Sequence, residues 1–556
     1  MSFLTGLINL FYKLKLPFSV SAIFKIESYL LNQPAAAKYF FSRIQAGALW
    51  KIAETKLIFL LKQYLKTTPA LVEISKKHFP QRRISRIKDF KEVFPILDKD
   101  NYIKKFRLQD LCQNGTLPEV GSFYKSSGTS GQPTLWFESL AEHVNFDKTA
   151  GVMFEMFLRA AAKKYVIVNC WALSSWPTGI DFAAAARQQG KVINIGANLE
   201  EAVEFFKMMG PAHNFLLVGY PPFIFHLIQR LKQEGLNLEE YSIEIIAGGE
   251  GFVEKWRDEL LRELGNRKIL SVYGSTDKGL SEAIETSLAY VVRSLLYVAS
   301  VTQTDIEQAR RIMQLRFNDQ ALPFSKESAK KFLLAFLKQE EEFERIPMVF
   351  QFNPTLYYNE NYLFADPIHK REVSEFLTTV LIPEITIPRV RYNIHDEGFV
   401  LPYDDLKLLL KRFDIKIKNF RAWGEPGLDL RLPFLFLFGR TDGTVSVDGA
   451  NIYPDDIERC LSANNQLLET IYSFQLFITT DYRLGIALEL TEGKEMAEEL
   501  KQLISACLKT SLADYSFGYR ELIQEKLRSA NLVVEFYRFS QGPFKNRTFK
   551  LRYVQK

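Results

Sequence analysis

Apolar residues recur at helical spacing from the N-terminus to about residue 85, most clearly through AKYFFSRIQAGALWKIAETKLIFLLKQYL, with few strand signals. From Phe90 to Leu280 the pattern changes to short apolar runs bounded by Gly or polar residues. KKYVIVNCWAL, KVINIG, HNFLLVGY, SIEIIAGG and KILSVYG read as buried strands. Between them, DFAAAARQQG, LEEAVEFFKMMG, PPFIFHLIQRLKQEG and EKWRDELLRELG carry helical periodicity. Strands alternating with helices imply right-handed crossovers and a largely parallel sheet with both faces covered.

The alternation is lost from about Ser281 to Arg345, a helical block whose strongest helix is KESAKKFLLAFLKQEEEFER. Strand-like sequence resumes at PMVFQF and continues to FLFLFGR. Beyond Arg440 the chain reads as a compact α+β unit: TVSVDG, the helix PDDIERCLSANN, the strands YSFQLFITT and LGIALELT, the helix EMAEELKQLISACLK and a last strand LVVEFYRF. The expected organisation is a helical extension over 1–85 and a large α/β domain over 86–440, interrupted by an insert at about 281–345. A small α+β domain follows over 441–556. A chain of 556 residues suits several domains, because single cores stop growing at roughly 250–300 residues.

Charge and cysteines narrow the function classes. Lys and Arg total 71 against 65 for Asp and Glu, an excess too small for a nucleic-acid binder but compatible with anionic substrates. Cys112, Cys170, Cys460 and Cys507 are far apart, which argues against a disulfide framework or structural zinc and suits a reducing, cytoplasmic setting. The N-terminal stretch MSFLTGLINLFYKLKLPFSVSAIF is broken by Lys13, Lys15 and Pro17, too short to span a bilayer and unlike a signal peptide. It reads as an amphipathic helix docked on the protein's own core, with peripheral membrane contact as the alternative.

The most informative segment is Tyr124-Lys-Ser-Ser-Gly-Thr-Ser-Gly-Gln-Pro-Thr134. Small hydroxyl residues and glycines let backbone N–H and side-chain O–H groups converge on phosphate oxygens. No Gly-Lys-Ser/Thr follows, so it is not a Walker A loop. Further along come AGGEGF at Ala247–Phe252, YGSTD at Tyr273–Asp277 and RYNIHDEG at Arg391–Gly398. GRTDG at Gly439–Gly443, DGANIYPDDIE at Asp448–Glu458 and a C-terminal lysine complete the series.

In this order, these signatures resemble the adenylate-forming superfamily of acyl-CoA synthetases, nearest its phenylacetate-CoA ligase-like branch. The resemblance covers about Phe90 to the C-terminus, apart from the insert. It implies that superfamily's fold, a large α/β domain with mostly parallel sheets and helices plus a small mobile α+β C-terminal domain. Ser126, Ser127, Gly128, Thr129, Ser130 and Gly131 match the loop holding the β- and γ-phosphates of ATP. Gly249, Glu250, Tyr273 and Gly274 match the adenine-site segments, and Thr276 a hydroxyl near the α-phosphate. Asp277 stands where the family usually has a glutamate that helps hold Mg²⁺, one methylene longer. Asp396 matches the ribose-binding aspartate, Arg440 a nucleotide-contacting arginine and Asp442 the hinge. Lys550 matches the catalytic lysine, with Lys545 as the other candidate, and Phe549 replaces the usual glycine before it.

The implied activity is activation of a carboxylic acid with ATP and release of pyrophosphate, then transfer of the acyl group to coenzyme A. A protein or other non-CoA acceptor is the alternative, since the extra helices could dock one. A degenerate nucleotide-binding scaffold is another, motivated by Asp277, His395 and Phe549. By position, the acid pocket falls near Trp171–Asp181 and Val218–Phe225, where Trp176, Tyr220, Phe223 and Phe225 suggest apolar or aromatic walls.

Overall fold

The computed structural model describes the chain except residues 81–83, 127–133, 174, 266, 319, 339–342, 344, 366–371, 425–427, 442–444, 449, 453–455, 458–459, 462–469, 480, 492, 495–497, 525–526 and 545–556. Five helices open it: α1 (Ser2–Lys13), α2 (Val20–Leu31), α3 (Pro34–Arg43), α4 (Ala46–Thr67) and α5 (Pro69–His78). Proline at the first turn of α3 and α5 costs no hydrogen bond there and presets φ. The long α4 ties the extension to the body, because its fully buried Lys56 pairs with Glu27 of α2 at 2.5 Å and donates to the Thr355 carbonyl at 3.0 Å. α1 docks through Thr5 and Ile8 but leaves Phe3 and Leu10 exposed, as is Leu14 just past its end. Among the described residues, no helix is long and apolar enough to cross a membrane.

The large domain is organised on two sheets. A hairpin pairs β1 (Gly121–Ser126) with β2 (Thr134–Ser139). The main sheet joins β3 (Val166–Asn169), β4 (Lys191–Asn194), β5 (Asn214–Gly219), β6 (Ser242–Gly248), β7 (Ile269–Ser275), β8 (Gly279–Ile284), β9 (Met348–Phe352), β10 (Tyr357–Ala365), β11 (Glu372–Val380), β12 (Asp396–Leu401) and β13 (Phe434–Arg440). Its order is β10-β11-β12-β13-β9-β8-β7-β6-β5-β3-β4. The run β4-β3-β5-β6-β7 is parallel, with a helix at every crossover, as the alternating pattern predicts. Beyond β7 every pairing is antiparallel, so the expectation of mostly parallel sheets holds for one half only. The reversal is a tight hairpin from β7 to β8, which needs no crossover helix.

Both faces of the sheet are covered. In the parallel half Val166, Val168, Phe215 and Leu217 enter one core, while Ile167, Leu216 and Val218 enter another on the opposite face. The helical block begins after β8 rather than at Ser281, with helices Ser287–Thr304, Ile306–Phe317 and Lys326–Leu337. It packs on Val349, Phe434 and Phe436, the second face of β9 and β13. The antiparallel half therefore depends on this block for the cover that crossover helices give the other half.

Buried charge joins the block to the parallel half. Arg257 of helix Glu254–Leu264 makes a forked pair with Glu285 at 2.7 and 2.9 Å. From the block, Arg293 reaches Glu254 at 2.8 Å and Arg316 reaches Asp258 at 2.6 Å, with a further contact to Glu254. Burial alone would raise the Glu254 carboxyl, but Arg257, Arg293 and Arg316 outweigh it and hold it at about 2.

The last part of the chain pairs β14 (Val445–Val447) with β15 (Ala450–Ile452) and sets β16 (Ile471–Ile478), β17 (Leu484–Leu490) and β18 (Val533–Tyr537) in one sheet. Helices Glu498–Tyr515 and Phe517–Gln524 complete this unit, whose core is its own.

Removing one member of the buried cluster strands the others. Arg316→Ala is expected to cost about 3–5 kcal/mol, read as a lower urea midpoint for the large domain. Because the Glu254 acid is depressed, its stabilisation is present above about pH 4.5 and is lost as pH falls toward about 2. The variant's deficit should shrink over that window.

Candidate active site

The β7–β8 hairpin places chemistry at the sheet's reversal. Ser275 faces Gly279 across the turn Thr276-Asp277-Lys278, and Gly279 has φ +118°, a conformation L side chains rarely adopt. Tyr273, four residues before Asp277, is buried, and its hydroxyl donates to Asp396 on β12. Lys278 donates to the Tyr273 oxygen at 2.8 Å and to Thr378 Oγ1 at 3.3 Å, and pairs with Glu282 at 2.9 Å. Burial first, then the Asp396 and Glu282 charges, push the Tyr273 phenol well up, so it stays a donor.

Strand register sets the next pair. Asp396 and Arg440 are direct partners in the β12–β13 ladder, and Arg440 NH1 lies 3.8 Å from Asp396 Oδ1. Just past Arg440, Thr441 donates its N–H to the His395 carbonyl at 2.9 Å and its hydroxyl to Glu375. Glu375 also accepts from Asn393 Nδ2 at 2.6 Å and lies 3.4 Å from His395 Nδ1. His395 sits at φ +64°. Burial would raise the Glu375 acid, but the bonds from His395, Thr441 and Asn393 hold it below its ordinary value.

On the other side of the hairpin, Asp277 Oδ2 pairs with Lys99 Nζ at 3.0 Å. Lys99 also reaches Ser126 Oγ at 3.3 Å, which accepts from Trp136 Nε1 at 3.1 Å. Lys99 opens a short helical turn capped by Asp98, whose Oδ1 accepts from the Asp100 and Asn101 amides at 2.9 and 2.7 Å. Arg389, buried under the Trp136 ring, donates to the Asp277 carbonyl at 2.9 Å and so fixes the turn from behind. Ser126 and Thr134 face each other at the end of the β1–β2 hairpin.

Of the residues singled out in the sequence, the structure gathers Ser126, Tyr273, Gly274, Thr276, Asp277, Asp396 and Arg440 around this hairpin. Ser127, Gly128, Thr129, Ser130, Gly131, Asp442, Lys545 and Lys550 lie outside the described residues. Gly249 has φ +86°, and a Cβ there would stand 2.5 Å from the Tyr220 ring. Glu250 is turned to the C-terminal unit: burial and then Asp448 raise its carboxyl well above the ordinary range, and burial pushes Asp448 up to about 6. Lys99, Lys278 and Arg389 were not singled out. Lys278 and Arg389 lie close beside the quoted signatures and Lys99 stands in the charged stretch LDKDNYIKK, and nothing in a single sequence marks the partner each will meet.

The aromatic residues expected at the acid pocket divide. Trp176 and Tyr220 join Trp171, Phe182, Ile246 and Val272 in one apolar cluster, and the last four, without Trp176 or Tyr220, help line a small cavity of about 40 Å³. Phe223 instead lines a cavity of about 890 Å³ with His226, Arg230 and, from the C-terminal unit, Asp448 and Leu527. Phe225 packs on Tyr482, ring centroids 6.0 Å apart.

Lys278→Met should leave Glu282 buried and unpaired, costing about 3–5 kcal/mol. Tyr273→Phe removes only the hydroxyl and should cost about 1–3 kcal/mol. Urea unfolding of both variants checks the order; equal losses would mean that Lys278 is not the anchor of this network.

No protein-family model matches the chain, and no curated protein does. Among solved structures it is similar to 2-hydroxyisobutyryl-CoA ligase in complex with 2-HIB-AMP and CoA, at 15% identity and a TM-score of 0.55, the match covering 94% of this chain and 90% of that one. It is also similar to the amide bond synthetase McbA from Marinactinospora thermotolerans, at 12% identity, covering 76% and 66% with a TM-score of 0.40. A third is the GH3.15 acyl acid amido synthetase, at 11% identity, covering 88% and 86% with a TM-score of 0.39. The first match shows the fold: the chain has the fold of the adenylate-forming enzymes. A match of that extent leaves less than a tenth of the chain outside it, so part of the 1–85 extension falls within it, although the motif resemblance begins only at about Phe90.

Proposed function

We propose that this chain activates a carboxylic acid with ATP, forming an acyl-adenylate and releasing pyrophosphate, and then passes the acyl group to coenzyme A. The observation that carries the reading is the β7–β8 hairpin. It sets Asp277, Lys99 and Ser126 at one side, where a polyphosphate would lie, and Tyr273, Asp396 and Arg440 at the other, where a nucleoside would. The fold shared with the CoA ligase supports the same class of chemistry.

The roles follow from donor and acceptor types. Asp396 accepts from ribose hydroxyls, with Tyr273 holding its second oxygen. Arg440 presents a planar fork suited to ribose or phosphate oxygens. The Ser126–Gly131 loop wraps the β- and γ-phosphates, and Thr276 offers a hydroxyl to the α-phosphate. Asp277 supplies the hard oxygen donor that Mg²⁺ prefers, and the ammonium 3.0 Å from it already compensates its charge, so the residues suit a cation-bearing triphosphate. Bound there, Mg²⁺ would neutralise charge on the phosphates. Lys99 would then release Asp277 and turn to the phosphate oxygens. Lys550 offsets the charge that develops as the carboxylate attacks the α-phosphorus. The small cavity beside Trp171 and Phe182 favours a compact apolar acid.

CoA is preferred among acceptors because the 890 Å³ cavity between helix Pro221–Gln233 and Asp448 gives a long polar ligand an entrance from the C-terminal unit. Transfer to an amine or a protein is the second reading, and dependence of product on free CoA separates the two.

Acid-dependent exchange between ATP and labelled pyrophosphate tests the first half-reaction. Exchange is expected with at least one acid of a panel of short, aryl and fatty acids. Asp277→Ala and Lys550→Ala should each lower it about 10²–10³-fold, while Lys550→Ala keeps ATP binding. Normal exchange in Lys550→Ala would move the catalytic role to Lys545. No exchange from folded, ATP-binding protein with any acid would replace this reading by a nucleotide-binding scaffold.

A further inference from the structure

A second cluster of ligand-type side chains lies on and beside the β1–β2 hairpin. Glu138 comes from β2, His143 from helix Leu140–Met153 and Asp181 from helix Pro177–Ala186. One donor atom from each lies within 4.8 Å of the other two. Asp181 is 6% exposed, yet its Oδ2 has no hydrogen-bond partner, and His143 Nε2 is buried and equally without one. Buried polar atoms are nearly always satisfied, so two orphans in one cluster point to a missing partner.

The surroundings are prepared for one. Tyr124 OH donates to Asp181 Oδ1 at 2.5 Å, leaving Oδ2 available, and His143 Nδ1 lies 3.4 Å from the same Oδ1. The Tyr124 bond is the outer-shell support that metal ligands commonly have, and the His143–Asp181 contact orients the imidazole and the carboxylate relative to each other. Charge argues the same way. Glu138, Glu142 and Asp181 bring three carboxyl groups together here, and the Arg389 guanidinium stands 4.0 Å from Glu142 alone among them. Glu142 itself is engaged by the Ser139 amide and by Thr386. The cluster is therefore short of positive charge.

We propose that Glu138, His143 and Asp181 form a site for a divalent transition cation of the Zn²⁺ class. One imidazole and two carboxylates suit zinc better than magnesium, which favours all-oxygen shells. Ligands at about 2.1 Å from a metal stand at most about 4.2 Å apart, so the cluster needs to contract by less than an ångström. The ion would clamp helix Pro177–Ala186 to the hairpin that carries segment 127–133. Its role is to hold that hairpin in place, and it takes no part in the proposed adenylation.

Chelator-treated full-length protein titrated with Zn²⁺ in a calorimeter, without ATP or acid, tests the site independently of that function. One equivalent per chain is expected, with a higher melting temperature and no competition from millimolar Mg²⁺. His143→Gln and Glu138→Gln should each weaken binding at least tenfold, and His78→Gln, at an exposed histidine, should not. Co²⁺ added to the unaltered protein should give visible bands of a nitrogen- and oxygen-ligated ion, a readout that survives if a variant misfolds. Absence of stoichiometric zinc, absence of those bands, or undiminished binding in both variants would overturn the site.

Discussion

A lysine ammonium buried in a protein must be surrounded by anions and acceptors, and Lys278 imposes that condition on the centre of this molecule. It follows Asp277 in the turn where the sheet reverses direction. To satisfy it, Glu282 comes from β8, Thr378 from β11 and the Tyr273 oxygen from β7, and Tyr273 in turn holds Asp396 on β12. Asn359 of β10 closes the set by donating to Glu282 at 2.9 Å. Five strands thus join in one network, three of them directly at the cation. The surfaces argued above to receive the nucleoside and the phosphates are the outward side of this network.

A similar logic holds the helical block in place. Three guanidiniums and three carboxylates, all buried, join it to the helix after β6 and to the end of β8. Such a cluster adds little net stability over a well-packed apolar one, but it tolerates few alternative arrangements. The block is thereby registered against the sheet face it covers, and that cover keeps β9 and β13 dry on their second side.

The parallel half was readable from the sequence because burial on both faces leaves continuous apolar runs, and KKYVIVN, HNFLLVG and SIEIIAG mark their strands plainly. The antiparallel half was less so: YYNENYLFA and EVSEFLTTV mix polar with apolar positions, and two of their polar members, Asn359 and Thr378, enter the buried network. Asp277, Tyr273 and Asp396 stood out because they fall in ordered signatures. Lys278 sits beside Asp277 and reads as a solvated turn, since hydropathy reports what a residue is and not what surrounds it. Lys99 is 178 positions from its partner Asp277 by chain number, and no local pattern encodes such a pairing. Phe223 and Phe225 were rightly seen as aromatic and wrongly grouped with Trp176, because a helix turns them toward the C-terminal unit.

The path by which the chain leaves the large domain has a mechanical consequence. β13 is not an edge strand; β12 and β9 hold it on both sides, and the C-terminal unit begins directly beyond it. Just beyond it, Thr441 bonds the His395 carbonyl and the Glu375 carboxylate, which ties the exit from β13 to the sheet as well. Arg440 therefore takes its bearing from the sheet that holds its strand on both sides, and not from the C-terminal unit.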